Sequence, residues 1–79
     1  MTISAVKDLV PINGERLRAF RTSAQWSQQE LADASMVSRS YIAEIEKGQK
    51  SPRPLVAESL ANALGLRLDR DLLVSDLIS

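Results

Sequence analysis

The stretch Ser27 to Gly48, SQQELADASMVSRSYIAEIEKG, constrains this chain most, because it holds two helix starts separated by one short turn. Ser27 stands three residues before Glu30. That is capping-box spacing, in which the hydroxyl accepts an early helix N–H and the carboxylate reaches back. Ser38 can open a second helix in the same way, ahead of Arg39, Ser40 and Tyr41. Leu31 and Ala32 face inward from the first helix, Ile42 and Ile45 from the second, and Val37 sits in the turn. A residue as small as Ala32 lets the two helices cross closely at a steep angle. The pattern is that of a helix-turn-helix, whose second helix can enter a DNA major groove.

The flanks extend the helical pattern. Asn13 is a good N-cap for a helix running to about Ser23, with Leu17, Phe20 and Ala24 on one face. After Gly48, the composition of Gln49 to Pro54 predicts a loop, and Pro54 suits the first position of a further helix. There Leu55, Val56, Ser59, Leu60, Ala63 and Leu64 form an apolar face that Gly65 ends. Asp69 can cap a last helix from Arg70 to about Ile78. Its Leu72, Leu73, Val74, Leu77 and Ile78 are more large apolar residues than one buried face absorbs, which predicts a homodimer interface. Residues 1–13 read as a lead-in or arm, interrupted at Pro11, and residues 14–79 as one domain with a C-terminal dimerisation helix.

Length and composition exclude other classes. Seventy-nine residues hold one small domain, and 44% hydrophobic with 25% charged residues is ordinary globular material. With no cysteine and no histidine, the chain lacks a disulfide framework, a thiolate metal site and the usual general base. No enzyme, metal or cofactor is expected. No apolar run is long enough to span a membrane and no signal-peptide pattern opens the chain, so the cytoplasm is the expected compartment. Net charge is zero. Its distribution is uneven: between Gly14 and Pro54 bases outnumber acids by two, and from Leu55 onward acids outnumber bases by two. Local potential near phosphates matters more than the sum.

The outer face of the second central helix carries the chemistry. Arg39, in its first turn, can donate both guanidinium arms to guanine O6 and N7. Ser40, Ala43 and Glu44 follow on that face, and Glu44 can accept from cytosine N4 or hold Arg39 in place. Gln28, at the start of the preceding helix, is placed for a phosphate, as are Ser38, Tyr41, Lys47, Lys50 and Arg53.

In spacing and residue type, SQQELA (27–32), VSRSYIAEIEKG (37–48) and LANALGL (60–66) resemble the Cro/C1-type (XRE) helix-turn-helix family of bacterial and phage repressors. The likeness runs from about Gly14 to about Leu73. It implies an all-α, compact five-helix, lambda-repressor-like domain that binds double-stranded DNA as a homodimer on a palindromic operator. It also implies an ion pair between Arg21 and Glu46, clamping the first helix to the third. Two positions depart from the family pattern. Gln25 stands where many relatives have glycine, and Met36 occupies the turn where glycine is usual because φ is positive. The rival reading keeps the fold but makes it a protein-binding adaptor or antitoxin module, with a toxin or polymerase as its partner. Net neutrality and the apolar tail favour that rival; Arg39, Gln28 and Ser40 on one surface favour DNA.

Overall fold

The computed structural model describes residues 9–73. Their architecture is all-helical: α1 (Gly14–Ser23), α2 (Gln28–Ser35), α3 (Arg39–Glu46), α4 (Pro54–Ala63) and a single π-helical turn, Leu68–Leu72. Three of the four α-helices begin on a side-chain cap. Asn13 Oδ1 accepts from Arg16 N at 3.0 Å. Ser27 Oγ accepts from Glu30 N while Glu30 Oε1 accepts from Ser27 N, a complete capping box. Ser38 Oγ accepts from Tyr41 N at 3.1 Å. The fourth, α4, starts instead on Pro54, whose ring fixes φ and whose missing N–H would have had no partner there.

The α2 helix is central, packing on both α3 and α4, while α1 lies against α3. Leu17, Leu31, Ile42, Ile45 and Leu60 are fully enclosed at their junction. The α1–α3 approach is set by Gly14. A Cβ there would collide with the backbone carbonyl of Ile45 and lie 2.8 Å from that of Glu46. The α2–α3 turn passes through Met36 at φ 65°, and the α1–α2 link through Gln25 at φ 63°. Both are left-handed conformations in residues that carry a Cβ. Buried Ser35 supports the turn: its hydroxyl donates to Leu31 O and accepts from Val37 N.

Three expectations change. The helical turn near the C-terminus begins at Leu68 and ends at Leu72, and Leu73 is extended, forming an antiparallel bridge with Ile12. The reason is the lead-in strand: Asn13 N donates to Leu72 O at 2.7 Å, which draws the chain into extended pairing. Leu72 is thereby fully buried in the chain's own core, so it is no subunit-interface residue. Leu73 is half-buried beside Ile12, and the expected interface residues Val74, Leu77 and Ile78 lie outside the described residues. On α4, Leu55 is 80% exposed and the inward residues are Ala57, Leu60 and Ala61, on a helix that packs against both α2 and the Leu68–Leu72 turn. On α1, Ala24 is exposed beyond the helix end, and Arg21 fills the buried place.

The lead-in is part of the domain from Val10 onward. Val10 N donates to Pro52 O at 2.7 Å, Ile12 joins the core, and Pro52 is fully enclosed. The loop after Gly48 is therefore pinned at its middle.

Candidate nucleic-acid interface

Ile42 and Ile45 fix the inner side of α3 with no exposed area. That orientation turns Arg39, Ser40 and Lys47 into solvent, with Ala43 and Glu44 half-exposed between them. Spacings of three and four residues put these five side chains on one stripe. Arg39 and Glu44 form no ion pair with each other. The capping oxygen of Ser38 is already engaged by Tyr41 N, and the Tyr41 ring packs partly against the core. Lys50 and Arg53 are exposed on either side of buried Pro52, on a loop held by Val10.

Behind the stripe lies a polar cluster that joins three helices. Arg21 Nε donates to Glu46 Oε2 at 2.7 Å and Nη2 donates to Oε1 at 3.0 Å, a two-armed pair. Arg21 Nη1 also donates to the carbonyl of Trp26 at 2.8 Å, which ties α1 to the α1–α2 link. Gln28 Nε2 donates to Glu46 Oε1 at 3.1 Å, so the first residue of α2 is bonded to the last of α3. The hydrogen bond to Glu46 holds the Arg21 guanidinium above its ordinary range, against the opposing effect of burial. Every buried side-chain polar atom among the described residues has a partner.

The structure thus brings together Arg21, Gln28 and Glu46, and lines up Arg39, Ser40, Ala43, Glu44 and Lys47. Lys50 and Arg53 stand apart on their loop. Sequence reasoning missed the Gln28–Glu46 bond, the Trp26 carbonyl as a partner of Arg21, and the buried roles of Ser35 and Pro52. The Gln28–Glu46 bond and the burial of Pro52 have no local signal, since they depend on which distant segments meet. The bonds of Ser35 and of Arg21 to Trp26 are short-range ones that carry no distinctive residue pattern. It also passed over Arg18, an exposed α1 residue that borders the same cluster. No helix among the described residues is long and apolar enough to cross a membrane.

Comparison with known proteins agrees with this geometry. The helix-turn-helix family has a model that matches residues 17–70. The chain is 36% identical over 55 residues to the immunity repressor protein of Bacillus phage phi105, an alignment covering 70% of this chain and 38% of that protein. It is 33% identical over 63 residues to the competence pilus inhibition repressor of Acinetobacter baylyi, covering 80% and 57% respectively. The chain therefore spans less than two thirds of the length of these two relatives. Among solved structures, the restriction-modification controller protein C.AhdI from Aeromonas hydrophila superposes with a TM-score of 0.69 at 38% identity, over 71% of this chain and 85% of that one.

Proposed function

The chain belongs to the Cro/C1-type (XRE) helix-turn-helix family of DNA-binding transcriptional regulators, and from that premise we propose that it is a repressor acting as a homodimer on a two-fold symmetric operator. The observation that carries the reading is the solvent-facing stripe of α3, Arg39, Ser40, Ala43, Glu44 and Lys47, on a helix whose opposite side is locked by Ile42 and Ile45. Arg39, Ser40, Ala43 and Glu44 read base edges in the major groove. Gln28, Ser38, Tyr41, Lys47, Lys50 and Arg53 meet the sugar-phosphate backbone. Gln28 keeps one amide hydrogen for a phosphate while the other is held by Glu46. Repression follows from occupancy: a dimer over two half-sites about one DNA turn apart blocks access to that DNA. The cytoplasm is the compartment where it would meet its operator.

Selection of bound sites from random duplex DNA, followed by a salt series on the selected site, tests the reading. Arg39→Ala should cost about 1–3 kcal/mol on that site and flatten the preference at one base pair per half-site. Lys50→Ala should weaken all sequences alike and make the salt dependence shallower, by about 0.9 in slope per subunit. Identical effects of the two substitutions on sequence preference would refute the placement of α3 in the groove. Failure of any duplex to be selected would move the assignment to a protein-binding adaptor or antitoxin module.

A further inference from the structure

The face of α1 that flanks the end of α3 carries a shallow bowl of about 270 Å³, lined by Arg18, Arg21, Gln28, Ala43, Glu46 and Lys47. Three of these are cations and one is an anion. The anion is already committed: Glu46 accepts from Arg21 through both oxygens and from Gln28 through one. Arg18 and Lys47 are exposed, and neither forms an ion pair or a side-chain hydrogen bond among the described residues. A second depression on this face shares Arg18, Glu46 and Lys47 with the bowl and adds Glu15, Ala19 and Thr22. The hydroxyl of Thr22 there is turned away, donating to the carbonyls of Arg18 and Ala19. Inside the bowl, then, two free cations stand over a neutralised floor. Ala43 belongs both to this lining and to the outward stripe of α3, so the bowl opens beside whatever the stripe meets.

We propose that this bowl seats one backbone phosphate of the bound duplex, gripped by Arg18 from α1 and Lys47 from the end of α3. The proposal rests on the DNA-binding reading above and makes α1 a third contacting helix beside α2 and α3. Free cations in a concave site attract an anion more strongly than the same charges on a convex surface. A phosphodiester offers two unesterified oxygens, one for each donor.

The test uses the selected duplex with single methylphosphonate substitutions, each removing one backbone charge, titrated with the full chain and with Arg18→Ala. In the wild type, one neutralised phosphate per half-site should weaken binding through this bowl. With Arg18→Ala that same substitution should have a much smaller effect, and the salt slope should fall by about 0.9 per subunit at unchanged sequence preference. Arg18 makes no side-chain bond here, so the variant should melt as the wild type does; Arg18→Lys, which keeps the charge, should restore most of the slope. If Arg18→Ala retains the wild-type slope and the wild-type phosphate pattern, the seat is wrong while the DNA reading stands. If the wild type selects no duplex, both fall together.

Discussion

Arg21 and Glu46 carry opposite charges into a place where their side chains are only 10% and 4% exposed. Taking two charges out of water is costly, and the pair is sustained because every donor it uses is matched: two arms to the carboxylate and one to the Trp26 carbonyl. Removing one partner strands the other. Arg21→Ala should therefore destabilise the fold by about 3 kcal/mol, measured by chemical denaturation. A double-mutant cycle with Glu46→Ala should show strong coupling, and additive effects would mean each side chain is supported independently of the other. The pairing itself was legible only through family likeness, because positions 21 and 46 share no local pattern. The added bond from Gln28 was not legible at all. It requires the start of α2 to abut the end of α3, which is a tertiary fact.

Among elements, the α2–α3 turn shows where sequence reasoning works and what it costs the molecule. Helix starts at Asn13, Ser27 and Ser38 were readable because a cap is a short-range hydrogen bond between residues three apart. The departure at Met36 was readable through the family resemblance, in which glycine usually takes the positive φ of this turn. With φ at 65° and the side chain 91% exposed, Met36 accepts left-handed strain and gains almost no burial in return. Met36→Gly should stabilise the domain by about 1 kcal/mol, observable as a raised melting temperature. A lowered one would show that the Met36 side chain contributes a contact worth more than the strain. The C-terminal element was less legible. A surplus of apolar residues does not distinguish burial by the same chain from burial by a second copy, and what captured Leu72 was Ile12 and Asn13 at the other end of the sequence. Likewise the rotation of α4 followed from Ala57 and Ala61, small residues that periodicity alone undervalues beside Leu55.

At the scale of the whole molecule, the dimer and the fold can be separated by where the chain is cut. Because Leu72 belongs to the core and Leu73 to the bridge, truncation after Asp69 should unfold the domain. Truncation after Leu73 removes Val74, Leu77 and Ile78 only with their polar neighbours. Sedimentation of the full chain should give about twice the 8.7 kDa monomer mass. The chain cut after Leu73 should stay folded by circular dichroism yet sediment as a monomer and bind the selected operator more weakly. A full chain that is monomeric at micromolar concentration would refute the homodimer. The Ile12–Leu73 bridge has a kinetic consequence as well. The α1–α3, α2–α3 and α2–α4 contacts can each form while much of the chain is still loose. The bridge and the Asn13–Leu72 bond join residues from opposite ends of the described chain, so they gain nothing until the intervening helices have already docked. They are expected to make a late seam in an otherwise locally wired domain, the last to close as the chain folds.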